Sequence, residues 1–182
     1  MRLIMPRMQR GLRNHRLDAA LLATPADSPE VTEIELFREP LLAALPQGHR
    51  LTHSWAVPEN SLTSELLVLA EGHCLANQAI AACGAKTTLQ SSMRAATLDT
   101  LVNLVAAGYG CTLIPSLAAE SVGRLGIVLR PLAGGAARTI RLASRPGFPR
   151  AAALRALEKV IRAAAEVHLR THPQQSRCLP PR

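Results

Sequence analysis

Two cysteines, Cys74 and Cys83, stand nine residues apart in the stretch EGHCLANQAIAACGAK, residues 71–86. A thiol becomes a nucleophile when it ionises, and a helix N-terminus or a nearby positive charge favours the ionised form. Cys74 has such a position. The apolar run LLVLA, residues 66–70, predicts a buried strand that gives way through Glu71, Gly72 and His73 to an alanine-rich helix from about Cys74 to Cys83, closed by Gly84. A thiolate there can attack a peroxide to give a sulfenic acid, which a second thiol converts into a disulfide. Cys83 is the natural second thiol. Its neighbours Ala81, Ala82 and Gly84 are small and anchor that end of the helix weakly.

Nine residues of helix advance roughly 13 to 14 Å and turn about two and a half times, so the two side chains face opposite ways. A disulfide needs Cα atoms within about 7 Å. If the thiols react with each other, at least part of the helix must unwind, and bond and helix become mutually exclusive states. The alternative is plain packing: free cysteine is among the most buried residue types and commonly replaces alanine in helices. Spacing leaves both readings open, and a loop histidine such as His73 is more often a solvated or core-satisfied residue than a catalytic partner. Cys111, inside GCTLIP, reads as a core residue, and Cys178, near the C-terminus, as incidental. The four cysteines are spaced by 9, 28 and 67 residues, without the close doublets of a zinc site, and no metal or cofactor is expected.

The elements that position these residues follow from periodicity. Residues 8–17, MQRGLRNHRL, read as the end of a helix that runs into DAALLAT, a buried strand bounded by Pro25. VTEIELF alternates at period two as a half-buried strand does, and EPLLAALP predicts a further strand ending at Pro46. Gly48 to Leu66 is loop-rich. SSMRAAT leads into the helix LDTLVNLVAAG, with Thr97 as N-cap, Asp99 in the first turn, Leu98, Leu101, Val102 and Val105 on one face, and Gly108 at its end. CTLIP is a short strand, SLAAESVG a short helix, IVLRPL and RTIRLAS strands, and PRAAALRALEKVIRAAAEVHLR a long terminal helix. Strands alternating with helices predict a parallel-sheet α/β architecture. Such sheets bind ligands at the carboxyl ends of their strands, where Cys74, Thr97 and Ser116 all fall.

At 182 residues and 48% hydrophobic composition the chain can bury a core. No apolar run approaches the length of about eighteen residues that would span a membrane, and no secretory signal pattern is present, so the cytoplasm is the expected compartment and a membrane is not an expected partner. Thiols stay reduced there, which makes any deliberate disulfide transient and functional. The formal charge is +8. Arg2, Arg7, Arg10, Arg13 and Arg16 crowd an acid-free start, a pattern shared with mitochondrial transit peptides that would explain nothing downstream. Arg150, Arg155, Lys159, Arg162 and Arg170 on the terminal helix are diluted by Glu158 and Glu166 and read as a solvated face. One Trp, one Tyr and two Phe offer no platform for stacking bases. The chain is not expected to bind nucleic acid by itself.

Three segments, LAEGHCLANQAIAAC, AATLDTLVNLVAAGYGCTLIPSLA and RTIRLASRPGFPR, resemble the regulatory domain of the OxyR family, the peroxide-sensing transcriptional regulators of the LysR type. GLRNHRLDAALLATP and IELFREPLLAALPQGHRL resemble the LysR-type effector domain more generally, and the similarity runs over about residues 11 to 170. The resemblance implies an α/β fold of two Rossmann-like subdomains in the LysR-type effector-binding, periplasmic-binding-protein-like arrangement, joined by crossing strands. Regulatory subdomain I would hold residues 1–40 and 142–170, incomplete at its N-terminus; subdomain II would hold residues 41–141 with the redox cysteines; residues 171–182 would be a disordered tail. Cys74 would be the peroxidatic cysteine and Cys83 the resolving one, with a Cys74–Cys83 disulfide in the oxidised form. His73 and Arg138 would line or hold the Cys74 thiol, and a fixed guanidinium there would favour the thiolate. The disulfide would reshape residues 74 to 90 and through them the dimer contacts. Implied partners are hydrogen peroxide, a thioredoxin- or glutaredoxin-type reductant, and further copies of the full-length chain in a homodimer or homotetramer.

The departures carry expectations too. The family begins with a winged helix-turn-helix and linker helix, then the first strand and helix of the effector domain. None of these is in this sequence, so DNA binding is expected only through that missing part, from a truncated, frame-shifted or mis-started reading frame. MRLIMPRMQR does not follow the family pattern, and Met5 stands about where the family has a threonine of the peroxide pocket. Three functions compete: a non-enzymatic peroxide sensor that activates oxidative-stress genes, a metabolite-binding effector module with passive cysteines, and a thiol peroxidase-like enzyme.

Overall fold

A computed structural model describes residues 4–84, 94–123 and 125–171, with side chains from Met8 to Arg170. The predicted tail therefore lies outside the described residues except for Thr171, which ends the last helix. The elements run α1 (Ile4–Arg13), β1 (Ala19–Leu22), β2 (Thr32–Pro46), β3 (Val68–Leu69), α2 (Cys74–Ala82), β4 (Arg94–Ala95), α3 (Leu98–Ala106), β5 (Thr112–Pro115), α4 (Ala119–Val122), β6 (Ile127–Pro131), β7 (Ala137–Ser144) and α5 (Ala151–Thr171), with 3-10 turns at Arg50–His53, Glu59–Glu65 and Ser116–Ala118.

VTEIELF and EPLLAALP, expected as two strands, form one. Strand β2 runs 15 residues without interruption and changes partners along its length. Thr32 to Pro40 lies antiparallel on β7, with a register shift between Glu35 and Phe37. Leu41 to Ala44 then pairs antiparallel with β5, and Leu42 to Pro46 with β6 on the other edge. Pro40, which has no N–H to give a ladder, falls where β2 leaves β7, and the next amide, Leu41, bonds to the Ala136 carbonyl at 2.9 Å. The charged residue that made a break plausible, Glu39, is instead buried and neutralised inside the sheet.

The parallel expectation holds only in part. β3 and β4 are parallel, and a parallel bridge from Leu66 to Cys111 carries the sheet on to β5. Every pairing of β2 is antiparallel, because that strand crosses into the sheet from the opposite end. The largest core lies around this half of β2: Leu45, Leu62, Leu66, Leu101, Val105, Leu113 and Ile114 are buried there together with Cys83 and Cys111. Two smaller clusters, one around Leu12 and Leu22 and one around Leu36 and Ile140, lie along β1, β7 and the first half of β2.

The helix caps form as their residues dictate. The Thr97 hydroxyl accepts the Thr100 N–H at 3.1 Å, and Gly108 takes the left-handed conformation (φ 83°) that ends α3. Arg162, read as part of a solvated face, instead donates to the Glu35 carbonyl at 2.6 Å and to the Leu36 carbonyl, tying α5 to β2.

Candidate redox site

Helix α2 begins at Cys74 and ends at its C-cap, Cys83. Gly72 has φ 98°, a conformation that leaves other residues strained, and His73 is extended (φ −93°, ψ 121°) as the N-cap residue, without a side-chain cap bond. Cys74 is thus delivered at the first helical position, half-buried, in a first turn whose Ala76 N–H already bonds to the His73 carbonyl at 3.1 Å. At the other end Cys83 is 2% exposed. Its N–H bonds to the Ala79 carbonyl at 3.0 Å, and Gly84 (φ 63°) turns the chain away.

The cysteines in the described residues are free and differ in surroundings. Burial, reinforced by the Glu59 carboxylate, pushes the Cys83 thiol up to about 11. Burial and the carboxylate of Glu65, with Cys83 itself nearby, push Cys111 up to about 12. Both stay protonated at neutral pH. Cys111 is fully buried against the Glu59–Glu65 turn, its Sγ 3.5 Å from the Glu65 carbonyl, which agrees with its reading as a core residue. Cys74 alone of the three meets solvent.

Arg138 stands on β7 opposite Glu39, its pairing partner across the ladder. Its Nε donates to Glu39 Oε2 at 2.8 Å, and Glu39 Oε1 accepts the Leu117 N–H at 3.0 Å. Among the described residues no hydrogen bond joins His73 or Arg138 to the Cys74 sulfur. Thr97, a candidate at a strand end, has its hydroxyl engaged in the α3 cap. Ser116 is buried and its Oγ has no partner among the described residues. The side chain of Met5 and residues 85–93, which include the end of the segment 74 to 90 expected to reorganise, lie outside the described residues.

Gln78 was not singled out from sequence. It stands one turn beyond Cys74 on the same helical face. Its Nε2 donates to the Ala23 carbonyl, just past β1, at 2.7 Å, while its Oε1 is buried without a partner among the described residues. The i, i+4 spacing from Cys74 was the available signal; the contact to Ala23, 55 residues away, was not.

The LysR substrate binding domain family matches residues 3–166. Over 157 residues the chain is 39% identical to the "DNA-binding transcriptional dual regulator OxyR" of Escherichia coli K12, covering 84% of this chain and 52% of that protein. Over 160 residues it is 39% identical to a "probable hydrogen peroxide-inducible genes activator" of Mycobacterium leprae, covering 83% and 50%. The chain spans about half the length of these relatives. Among solved structures, the reduced form of OxyR superposes with TM-score 0.75 at 34% identity, over 90% of this chain and 78% of that one. The oxidised form gives 0.70 at 35% identity, over 90% and 79%. A cysteine mutant of Corynebacterium glutamicum OxyR gives 0.85 at 25% identity, over 96% and 56%.

Proposed function

Since the chain belongs to the LysR substrate binding domain family, we propose that it is the peroxide-sensing regulatory domain of a LysR-type transcriptional regulator, switched by a Cys74–Cys83 disulfide. The reading is supported by relatives named as hydrogen peroxide-inducible activators. The observation that carries it is the pairing of a half-buried thiol at the first position of α2 with a buried thiol at its C-cap. The first is placed to meet a small oxidant, and the second is kept away until the helix opens.

The Cys74 thiolate attacks one peroxide oxygen, breaks the O–O bond and becomes a sulfenic acid, releasing hydroxide. Cys83 then loses its thiol proton and attacks the Cys74 sulfur, and the sulfenic oxygen leaves with a proton as water. Two thiols are oxidised by two electrons and one peroxide is reduced. His73 and Gly72 shape the entry to α2, and Gln78 Oε1 is an unused acceptor one turn away for a peroxide O–H. Arg138 is the cation this reading assigns to the Cys74 thiolate, and its ion pair with Glu39 offsets part of that charge. The helical α2 corresponds to the reduced state, and the greater likeness to reduced than to oxidised OxyR, at matched identity and coverage, supports that assignment. No helix among the described residues is long and apolar enough to cross a membrane. A cytoplasmic regulator, a homo-oligomer returned to the thiol state by a thioredoxin- or glutaredoxin-type reductant, completes the proposal, with DNA contacted through a helix-turn-helix of the whole regulator.

The test is direct. Reduced protein is treated with one equivalent of hydrogen peroxide, free thiols are alkylated, and linked peptides are mapped by mass spectrometry. A Cys74–Cys83 link that disappears in Cys74→Ser is the expected result. An unreactive Cys74 would overturn the reading and leave a metabolite-binding effector domain.

A further inference from the structure

The Glu59–Glu65 turn is fixed by contacts that do not involve α2. Glu59 Oε2 accepts the Gly134 N–H at 3.0 Å, the Glu65 carbonyl accepts the Cys111 N–H at 2.9 Å, and Glu65 Oε2 lies 3.2 Å from His49 Nε2. Leu62, at its middle, is 1% exposed in the main core. From this platform the Thr63 hydroxyl reaches the last turn of α2. Thr63 Oγ1 is 2.9 Å from the Cys83 carbonyl and 2.9 Å from the Asn60 carbonyl, so its one proton is shared between the two acceptors.

The Cys83 carbonyl belongs to the end of the helix, where carbonyls lack intrahelical partners. Thr63 supplies one. The residues before Cys83 are Ala81 and Ala82, which have no side chain long enough to hold this end down. The seat of Cys83 therefore depends on the burial of its own side chain, on the packing of Ala79, Ile80 and Ala82 against the main core, and on the Thr63 hydroxyl. We propose that Thr63 is a latch on the resolving cysteine: its hydroxyl keeps Cys83 seated, and its release admits Cys83 to an oxidised Cys74. Thr63 is a positioning residue and touches neither peroxide nor a reacting sulfur. The proposal rests on the peroxide-switch reading and concerns what sets the rate of its second step.

The chemistry makes such a latch effective. The Cys83 thiol is protonated while seated, because burial holds its ionisation far above neutral. It cannot attack in place, and the two ends of α2 are too far apart for it to do so. Leaving the seat comes first. The thiol proton is then lost, the S–S bond forms as the S–O bond of the Cys74 sulfenic acid breaks, and the oxygen departs as water.

The isosteric Thr63→Val removes the hydroxyl from both the Cys83 and the Asn60 carbonyls, while the turn keeps its bonds to Gly134, Cys111 and His49. Thr63→Ser keeps a hydroxyl. With hydrogen peroxide as oxidant, Cys74 sulfenic acid is trapped by a dimedone probe and disulfide formation is followed by quenched alkylation and mass spectrometry. Sulfenic acid should appear at the same rate in all three proteins. Disulfide should then close about 2- to 10-fold faster in Thr63→Val, the factor that loss of one hydrogen bond implies, and near the wild-type rate in Thr63→Ser. Hydrogen exchange at the Cys83 amide of the reduced protein should be faster in Thr63→Val, with the Cys111 amide unchanged. Thr63→Ala replaces the valine variant if that one does not fold. Sulfenic acid at the normal rate with an unchanged or slower disulfide step in Thr63→Val would overturn the latch and leave the switch standing. Absence of Cys74 sulfenic acid in the wild type would overturn both.

Discussion

Glu39 and Arg138 are paired neighbours on β2 and β7, joined at 2.8 Å by an ion pair whose carboxylate is fully buried. The pair sits where β2 passes from β7 to β5, and the second Glu39 oxygen accepts the Leu117 N–H that opens the turn after β5. One carboxylate therefore ties together β2, β7 and the turn that follows β5. A buried carboxylate of this kind is tolerated only while its partners remain.

Removing the cation should cost more than removing both charges. Arg138→Met leaves Glu39 buried and unpaired, and a loss of about 3 to 5 kcal/mol in urea unfolding is expected. Adding Glu39→Gln should recover a large part of it. If the double variant is no more stable than Arg138→Met alone, the ion pair is not what holds this junction.

Gln78 should act on the first redox step and not on the second. Its Oε1 is buried without a partner among the described residues, one turn from Cys74. Gln78→Leu removes that acceptor, and Cys74 sulfenic acid should form about tenfold more slowly, the value of one hydrogen bond to a reacting group. Competition between the protein and a peroxidase for limiting peroxide measures the rate. An unchanged rate would remove Gln78 from the oxidant site.

Alkaline unfolding should report the buried thiols. The folded values of Cys83 and Cys111 are raised from 9.0 to about 11 and about 12. Below pH 9 both states carry the protons and neither thiol affects the pH dependence. Above pH 9 the unfolded state loses them while the folded state keeps them, so stability falls until the folded thiols ionise. Each contributes a slope of about 1.4 kcal/mol per pH unit in that window. Cys83→Ala should flatten the fall between pH 9 and 11, as measured by urea titration at stepped pH, and an unchanged slope would contradict the burial of Cys83.

Gly110 allows the chain leading into β5 to lie close against the Glu65–Leu67 segment that leads into β3. A Cβ built there would lie within 3.1 Å of Leu67 Cγ and in collision with the Glu65 carbonyl oxygen. Gly110→Ala should therefore destabilise the reduced protein by about 1 to 3 kcal/mol, the usual range for overpacking. A melting temperature equal to wild type would show that the strands can part there without loss.

What was legible in sequence was local. The strand-to-helix passage at His73–Cys74, the Thr97 cap and the glycine stops at Gly84 and Gly108 depend on neighbours within a turn, and each forms. The continuity of β2 was hidden because a charged residue and a proline at its centre mimic a break. They are accommodated by Arg138, 99 residues away, and by the exchange of one partner strand for another. The same distance in sequence concealed the Gln78–Ala23 bond and the Thr63–Cys83 bond, neither of which leaves a periodic trace. Opposite-facing thiols were derived from helix geometry alone, but their different burial required the core that α2 packs on.

Oxidation should abolish α2 as a helix. The nine residues Cys74–Ala82 separate the two Cα atoms by roughly 13 to 14 Å, and a disulfide brings them within about 7 Å. No rotation of an intact helix achieves this, so intrahelical bonds such as Cys83 N–H to Ala79 O must break. Helix α3 is under no such constraint. Its Thr97 cap and its Leu101 N–H to Thr97 O bond can persist. Hydrogen exchange read by mass spectrometry should therefore show α2 amides losing protection after one equivalent of peroxide, with α3 amides unchanged and dithiothreitol restoring the original pattern. Cys83→Ser, which can form the sulfenic acid but not the bond, should keep α2 protected. That control separates the effect of the disulfide from that of oxidising Cys74. Retention of α2 protection in the linked wild-type protein would mean that bond and helix coexist, and the switch would have to lie elsewhere.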